Sequence, residues 1–331
     1  MTSTVPATVP ATVPATVPAT VPATPITGRR ILVTGVTGWV AGPLAKSLAA
    51  AGNTVYGAAR FADDAQRAPF DEAGVTTVSL DLGEGRFDEV PEGLDLVAHF
   101  AVSKAPDFSA AMATNAHGSA NLLATAHERG EDVQFFHCSS TAVYEPAGQS
   151  PRAEDAPLGD SHRPMMGMAS YSISKIAGEV LVAHTARRLG VPTVIARLNV
   201  PYGDTYGWPL FHLMMMERNI PIPVHVNQPT SYTPIHADDI NASIPYLMTY
   251  ASPDAPAINW GGDEVTSVEE WCEMLGELTG FTPTFNPTHA TIAAIIPELS
   301  KQQATGFRCS VGWRDGFTRM LTASRPELLK S

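Results

Sequence analysis

Cysteine is scarce in this chain, and its three cysteines lie far apart. Cys138, Cys272 and Cys309 are odd in number and form no C-x-x-C pair. We therefore expect no disulfide framework and no metal site, and a reducing compartment is the simplest interpretation. The sequence also lacks an apolar run of about 18 residues, and its N-terminus lacks a basic start followed by an apolar stretch. These absences predict a cytoplasmic protein without a membrane span or a secretory signal.

Basic residues are also few compared with acidic residues. The 331 residues include 21 Lys and Arg against 33 Asp and Glu, which gives a formal net charge of −12. Nucleic acids and anionic membranes bind to basic surfaces, so neither partner is expected. A small anionic ligand stays compatible with this balance, because it needs only a local cluster of donors. The hydrophobic share of 44% is typical of a soluble globular protein.

The N-terminal segment is a repeat. Residues 4–23 contain T-V-P-A five times, followed by Thr24 and Pro25. Proline at every fourth position removes amide donors and restricts the preceding residue, so neither a helix nor a strand ladder can propagate. We predict an extended, disordered tail over 1–27 rather than a docking segment, with folded structure starting near Gly28.

Beyond the repeat, β-branched runs alternate with helical segments. The predicted helices span 38–51, 110–129 and 172–189, and the predicted strands span 30–34, 54–59, 75–80, 95–101, 133–138 and 192–197. This alternation predicts an α/β fold with a doubly wound parallel sheet, whose ligand binds at the carboxyl ends of the strands.

After residue 200 the pattern weakens. Six prolines between 201 and 234 break the chain into short pieces, and helical periodicity returns at 237–250 and 267–279. We therefore predict two units. A nucleotide-binding domain would comprise 28–199 and about 233–259, and a smaller C-terminal substrate-binding lobe would comprise about 200–232 and 260–331.

A glycine-rich segment follows the first predicted strand. Residues 34–42 read T-G-V-T-G-W-V-A-G, and a predicted helix comes next. The glycines permit a tight turn and a close backbone approach, so that the helix can present amide donors to a pyrophosphate. Strand, loop and helix together are the context of a Rossmann dinucleotide site. We predict cofactor contacts from Gly35, Thr37, Gly38, Trp39 and Val40.

The end of the second strand indicates the type of dinucleotide. NAD-selective enzymes place a carboxylate there for the ribose hydroxyls, whereas this chain has Ala59 followed by Arg60. A guanidinium at this point can pair with a 2′-phosphate, so NADP(H) is favoured over NAD(H). Asp63 and Asp64 follow closely, and Arg60 as a solvated surface charge is the alternative.

Tyr171 and Lys175 form the segment Y-S-I-S-K after the fifth predicted strand. Their spacing of four places them on one face of a helix, one turn apart. A phenol has an ordinary pKa near ~10, and a nearby ammonium favours its phenolate form. We predict that this pair transfers a proton at the carboxyl end of a nucleotide-binding sheet.

With these motifs, residues 28–331 resemble the extended short-chain dehydrogenase/reductases of the NAD(P)-dependent epimerase/dehydratase family. Four further segments carry the resemblance: D-L-V-A-H-F-A at 95–101, S-S-T-A-V-Y at 139–144, R-L-N-V-P-Y-G at 197–203 and P-I-H-A-D-D-I at 234–240. The resemblance implies that Ser140 is the catalytic hydroxyl beside Tyr171 and Lys175, with Asn115 as a fourth member. It also implies a homodimer through the helices at 110–129 and 172–189. Besides Tyr171 and Lys175, it implies cofactor contacts from Asp81, Leu82, Ala101, Val102, Ser103, Ser139, Asn199 and Val200.

Three departures from the family pattern bear on the structure and the reaction. The third glycine of the loop is Ala41, whose small side chain still permits close packing. The family's dehydratases carry an Asp-Glu pair just after the catalytic hydroxyl, where this chain has Thr141 and Ala142. Elimination of water therefore has no obvious acid or base. Nucleotide-sugar members place an arginine before the H-x-D-D segment, where this chain has Tyr232.

We therefore predict an NADP(H)-dependent oxidoreductase that interconverts a carbonyl and an alcohol on a bulky, partly apolar small molecule. The expected apolar pocket rests on Met168, Tyr206, Trp208 and Phe211, although ordinary packing uses the same residue types. The alternative is a sugar or nucleotide-sugar epimerase that retains its cofactor, because it needs the same catalytic residues. A redox-sensing binding protein on this fold is disfavoured, because such proteins usually lack the tyrosine–lysine pair.

Overall fold

A computed structural model describes residues 24–130, 132–165 and 167–330. The T-V-P-A repeat lies outside these residues, and so does the prediction made for it. The folded part begins slightly earlier than Gly28. Ile26 packs against the main hydrophobic cluster, and its carbonyl oxygen accepts a hydrogen bond from Asn53 Nδ2 at 2.8 Å.

The strands follow the predicted pattern through the first 200 residues. In chain order they are β1 (Arg30–Thr34), β2 (Thr54–Ala59), β3 (Val75–Ser79), β4 (Leu96–His99), β5 (Gln134–Ser140), β6 (Thr193–Leu198), β7 (Pro201–Tyr202), β8 (Ile222–His225), β9 (Ser231–Tyr232), β10 (Ile235–His236), β11 (Ala257–Trp260), β12 (Thr266–Ser267) and β13 (Phe285–Thr288). All six predicted strands are present, with ends that differ by a few residues. Sequence periodicity did not reveal β11 or the short pairs after residue 200.

Seven of these strands form one parallel sheet in the order β11-β6-β5-β4-β1-β2-β3. Strands of such a sheet are covered on both faces, as in β6, where all six residues are buried, including Thr193 and Arg197. The crossover direction changes between β1 and β4, and this is where an open α/β sheet binds its ligand. The predicted doubly wound α/β fold of the Rossmann type is confirmed.

The helices cover both faces of the sheet and build a further layer. They are α1 (Ala41–Ala50), α2 (Ala68–Asp71), α3 (Phe108–Met112), α4 (Ser119–Glu128), α5 (Tyr171–Leu189), α6 (Trp208–Glu217), α7 (Ala237–Leu247), α8 (Val268–Thr279), α9 (Ser300–Ala304) and α10 (Trp313–Ser324). A π-helical turn, Ala113–Gly118, joins α3 to α4. The helix predicted at 110–129 is therefore an α-helix interrupted by one wider turn.

Three hydrophobic clusters divide the core. One contains Leu44 of α1 and Ile244 of α7 on one face of the sheet, and another contains Leu122 of α4 and Val182 of α5 on the other face. The third lies away from the sheet and joins α6, α8 and α10 around Trp271. None of the described helices is long and apolar enough to cross a membrane. Within the described ranges, no group of three or more His, Cys, Asp or Glu could hold a metal ion.

Candidate active site

The loop after β1 needs glycine at Gly35. Its φ is +78°, and a Cβ atom there would lie 2.8 Å from both the Cα and the N of Ala101. Glycine therefore lets the end of β1 pass directly beside the end of β4, where two predicted cofactor segments meet. Thr34 stabilises the same contact between the ends of β1 and β4, because its Oγ1 accepts the N–H groups of Phe100 and Ala101 at 3.2 Å.

The beginning of α1 fits the pyrophosphate of a dinucleotide. The N–H groups of Trp39 and Val40 have no acceptor among the described residues, and they stand at the N-terminus of a helix of ten residues. Such open amides form an anion site. The Trp39 side chain is 61% exposed and stacks on Tyr206, with ring centroids 5.7 Å apart.

A first cavity, of about 220 Å³, lies at the carboxyl ends of β2 and β3. Arg60, Ser79, Asp81 and Arg86 line it together with three other residues. Asp81 shapes its wall, because Oδ1 accepts the N–H of Gly83 at 3.0 Å. The predicted cofactor residues Arg60 and Asp81 meet here, and the lining combines the guanidinium groups of Arg60 and Arg86 with the carboxyl groups of Asp81, Asp88 and Glu89. We call it the ribose cavity.

The residues predicted to transfer a proton meet at the C-terminus of β5 and the N-terminus of α5. Ser140 is the last residue of β5, and Tyr171 is the first residue of α5. Burial raises the pKa of Tyr171 to about 12, and the hydrogen bond from Ser140 opposes this rise. The phenol is therefore protonated at neutral pH.

Lys175 lies one turn along α5 and is almost fully buried. Its Nζ donates to the carbonyl oxygen of Cys138 at 2.8 Å. Burial lowers the pKa of Lys175, although Cys138 and Glu179 partly offset this effect. Lys175 is not among the groups that set the pKa of Tyr171. Burial is the largest effect on the pKa of Tyr171, and the expectation that the Lys175 ammonium favours the phenolate stays a prediction.

Asn115 lies in the π-helical turn, and its side chain forms hydrogen bonds with the loop after β4. Its Oδ1 accepts the N–H of Ser103 at 2.6 Å, and its Nδ2 donates to the Ser103 carbonyl at 2.8 Å and to Ser174 Oγ at 2.9 Å. The side chain therefore ties a predicted cofactor segment to α5. Asn115 acts here as a positioning residue for Ser103.

His99 supports this arrangement and was not singled out from the sequence. Burial lowers its pKa to about 3, helped by the charge of Lys175, so the imidazole is neutral. Thr34 Oγ1 lies 2.7 Å from Nδ1, Ser119 Oγ lies 2.8 Å from Nε2, and Ser119 donates to the Asn115 carbonyl at 2.9 Å. Because Thr34 Oγ1 already accepts two N–H groups, its own proton points to Nδ1, and Nε2 carries the imidazole proton.

A buried ion pair holds the catalytic strand and was also missed. Arg197 Nη2 lies 2.7 Å from Glu179 Oε2, and both side chains are below 10% exposure, at 6% and 7%. Ser139 Oγ donates to Glu179 Oε1 at 2.5 Å, and Arg197 Nη1 donates to Tyr144 Oη at 2.9 Å. Burial lowers the pKa of Arg197, but the hydrogen bonds and charge of Glu179 raise it by more. The pair fixes the residue next to Ser140.

Asn199 has a structural role in addition to its predicted position near the cofactor. Its Nδ2 donates to Thr141 Oγ1 at 2.8 Å and to the Ile295 carbonyl at 3.1 Å, and its Oδ1 accepts the N–H of Thr233 at 2.9 Å. These bonds use both hydrogens of Nδ2 and one lone pair of Oδ1, so the second lone pair of Oδ1 is left as an acceptor. The neighbouring Val200 is buried in the third cluster.

A second cavity, of about 480 Å³, lies between the 145–164 segment and residues near His225 and His289. We call it the distal cavity. Ser161 on its wall donates to the Ala142 carbonyl at 2.7 Å, and Ser172, next to Tyr171, donates to the same oxygen at 2.8 Å. One wall residue of the cavity, Ser161, therefore shares a hydrogen-bond acceptor with Ser172 of α5.

The four residues predicted to form an apolar pocket do not line this cavity. Tyr206 stacks on Trp39, and Trp208 packs edge-to-face on Tyr232 with centroids 5.5 Å apart. Phe211 is 58% exposed on α6, and Met168 is half-buried in the loop before α5. Two of the four residues therefore pack against other aromatic rings, and the apolar pocket stays a prediction.

Comparison with known proteins gives a family match. The model of the NAD dependent epimerase/dehydratase family matches residues 31–221. A dTDP-glucose 4,6-dehydratase of Streptomyces niveus is 28% identical over 193 residues, which is 55% of this chain and 54% of that enzyme. A trifunctional UDP-glucose 4,6-dehydratase, epimerase and reductase of Arabidopsis thaliana is 27% identical over 161 residues, 46% of this chain and 23% of that protein. The matches therefore span about half, or less, of these relatives.

Solved structures of similar fold cover most of the chain. The dTDP-glucose 4,6-dehydratase DesIV of Streptomyces venezuelae, with NAD and TYD bound, has a TM-score of 0.76 at 20% identity over 90% of this chain and 97% of that one. The UDP-glucose 4-epimerase of Thermotoga maritima, with UDP-glucose, has a TM-score of 0.75 at 18% identity and covers 90% of this chain and 99% of its own. At these identities the similarity shows the fold.

Proposed function

Because the chain belongs to the NAD dependent epimerase/dehydratase family, we propose that it is an NADP(H)-dependent oxidoreductase interconverting a carbonyl and an alcohol. The observation that carries the proposal is the protonated Tyr171 beside Ser140. The two residues that follow Ser140, Thr141 and Ala142, have no carboxyl group. Ala142 has no ionisable group, and the Thr141 hydroxyl is held by Asn199. Proton transfer to a carbonyl oxygen is therefore supported, and elimination of water is not.

In the direction of reduction, Tyr171 donates its proton to the carbonyl oxygen, and Ser140 hydrogen-bonds the same oxygen. Lys175, held on the Cys138 carbonyl, lies one helical turn from Tyr171, and its ammonium form stabilises the phenolate that forms. In oxidation, the phenolate takes the proton back. A bound nicotinamide would supply or accept the hydride.

An absorbance assay tests this proposal. The protein is incubated with NADPH and a panel of ketones, ketosugars and nucleotide sugars, and nicotinamide absorbance is followed. We expect stoichiometric loss of NADPH with at least one carbonyl compound. Conversion of a sugar without net loss of cofactor would instead support the second candidate, an epimerase that retains its cofactor. The names of the similar proteins, which include nucleotide-sugar enzymes, favour this candidate.

Arg60 supports the choice of NADP(H), because it is exposed on the ribose cavity. The residue before it is Ala59, at the position where NAD-selective enzymes carry a carboxylate. A charge-assisted guanidinium–phosphate contact contributes about 1.5–3 kcal/mol. We expect Arg60→Ala to weaken NADPH binding about 10-fold to 100-fold and to leave NADH binding nearly unchanged. Dissociation constants for both cofactors, measured by fluorescence titration, check this expectation.

Arg188→Ala on the exposed side of α5 is the matched control, and it should change neither constant. Combining Ala59→Asp with Arg60→Ala should invert the preference, because a carboxylate repels the 2′-phosphate and accepts the ribose hydroxyls. A wild type that prefers NADH, or an Arg60→Ala variant that weakens both cofactors equally, contradicts the proposal.

We also propose a cytoplasmic homodimer that uses α4 and α5. The supporting observation is that α5 exposes two apolar side chains, Val180 at 61% and Ile173 at 37%. Sedimentation equilibrium should give twice the chain mass of 35.1 kDa, and Val180→Glu should shift the equilibrium towards the monomer.

A further inference from the structure

We propose that His162 is a positioning residue, which sets Tyr171 relative to Ser140 through a group of buried hydroxyl groups. His162, Ser161 and Ser172 are all buried, and we call them the serine–histidine cluster. The inference rests on the proposed function, because it takes Tyr171 and Ser140 as the groups that transfer the proton. None of the sequence segments that carry the family resemblance includes His162.

The backbone of Ala142 connects the cluster to Ser140. Its N–H donates to Ser140 Oγ at 3.2 Å. Its carbonyl oxygen accepts the Ser161 hydroxyl at 2.7 Å and the Ser172 hydroxyl at 2.8 Å, which uses both of its lone pairs. Ser161 lies in the segment before α5, and Ser172 lies in the first turn of α5. One backbone residue therefore joins the end of the catalytic strand to both.

The directions of these hydrogen bonds fix the tautomer of His162. Each serine has one hydroxyl proton, and both protons are used on the Ala142 carbonyl. Ser172 Oγ lies 2.9 Å from His162 Nδ1, so Nδ1 carries the imidazole proton and donates it to this oxygen. The backbone N–H of His162 donates to the same oxygen at 3.2 Å. Ser172 Oγ therefore donates one hydrogen bond and accepts two.

The imidazole ring of His162 also contacts the phenol ring of Tyr171. The ring centroids lie 4.9 Å apart, and the ring planes are tilted by 51°. Because protein interiors are close-packed, a ring that is held by hydrogen bonds restricts the ring beside it. His162 thus restrains Tyr171 directly, and it also binds Ser172, the next residue in α5. A shift of the phenol relative to Ser140 would disturb this whole cluster.

His162 exerts this effect as a neutral group. Burial lowers its pKa to about 4, and the charge of Lys104 adds to this effect, so the ring is neutral at pH 7. His162 is not among the groups that set the pKa of Tyr171. Its contribution to proton transfer is therefore geometric, and its loss should lower the rate without changing the binding of the cofactor.

The first test measures the tautomer and needs no reaction. Nitrogen NMR of the full chain, with isotope-labelled histidine at neutral pH, should show the His162 proton on Nδ1. His212 is a buried reference with the opposite tautomer, because its Nδ1 accepts the Trp271 Nε1–H at 3.0 Å. The variants His162→Phe and His212→Phe assign the two signals. A His162 proton on Nε2 would overturn the inference.

The second test measures proton transfer. His162→Phe keeps a ring beside Tyr171 and removes the Nδ1–H, so we expect kcat to fall about 10-fold to 100-fold while KM and the dissociation constant of NADPH stay nearly unchanged. The solvent deuterium isotope effect on kcat should increase, because the proton transfer becomes slower than the other steps. His162→Asn retains an N–H donor near the position of Nδ1 and should recover most of the lost rate.

His212→Phe is the matched control, because it also removes a buried imidazole and leaves the Trp271 N–H without its acceptor. It should lower stability but leave kcat and the isotope effect unchanged. Rates are measured for whichever of the two candidate reactions the protein catalyses, since both use Tyr171 and Ser140. A wild-type kcat in His162→Phe, with Tyr171→Phe inactive, would overturn the inference and leave the proposed function standing. Absence of both reactions would count against the proposed function, and the inference would then stand or fall with the tautomer.

Discussion

Replacing Tyr171 by Phe is expected to lower kcat for carbonyl reduction by about 100-fold to 10,000-fold while leaving the dissociation constant of NADPH nearly unchanged. The substitution removes only the hydroxyl that donates the proton, and the remaining ring can still pack on His162. Steady-state rates of NADPH oxidation and a cofactor titration check both parts of this expectation.

Tyr246→Phe is the control for loss of a tyrosine hydroxyl, because Tyr246 lies on α7 and packs against Phe307. It should retain the wild-type rate. Near-normal kcat in Tyr171→Phe would remove Tyr171 from the mechanism. A large loss of cofactor affinity in that variant would mean that the hydroxyl mainly binds the cofactor.

The buried phenol also predicts a pH dependence. Burial holds the pKa of Tyr171 at about 12, so its proton stays in place between about pH 6 and pH 9. The acid form exists below the pKa, and reduction should therefore not decline across this range through loss of that proton. The contrary result is a rate of reduction that declines with an apparent pKa near 7 in the wild type and not in Tyr171→Phe. That result would show that the cofactor-bound enzyme lowers the pKa of the phenol.

The parts of the fold that sequence reasoning predicted are those fixed by local patterns. The glycine loop could be placed because Gly35 follows an apolar strand and precedes a helix. Tyr171 and Lys175 could be paired because a spacing of four on one helix fixes their common face. Their partners were harder to find, because His99 contacts Ser119 and Glu179 contacts Arg197 only after distant segments have folded together.

Residue type did not separate a pocket wall from protein packing. Trp208 and Tyr206 have the side chains of a pocket wall, yet they pack against Tyr232 and Trp39. A side chain that suits a ligand equally suits a protein core, so composition does not separate the two.

The buried ion pair gives the second large expected effect. Replacing Glu179 by Ala should lower the free energy of unfolding by about 3–5 kcal/mol, because it leaves the Arg197 guanidinium buried without its counter-charge. It also removes the acceptor of the Ser139 hydroxyl, next to Ser140. We therefore expect kcat to fall as well, and chemical denaturation and steady-state kinetics measure the two effects.

Two further variants separate the charge from the packing. Glu277→Ala on the exposed face of α8 removes a carboxylate that has no partner in the described ranges, and it should change the unfolding free energy by less than about 0.5 kcal/mol. Combining Glu179→Leu with Arg197→Met removes both charges, and it should recover much of the lost stability, because an apolar pair of similar size carries no desolvation penalty. The double variant should nevertheless keep a reduced kcat, since Ser139 and Tyr144 still lack their charged partners. Equal stability of Glu179→Ala and the wild type would show that Arg197 finds another anion or water, and the pair would then have no part in holding the catalytic strand.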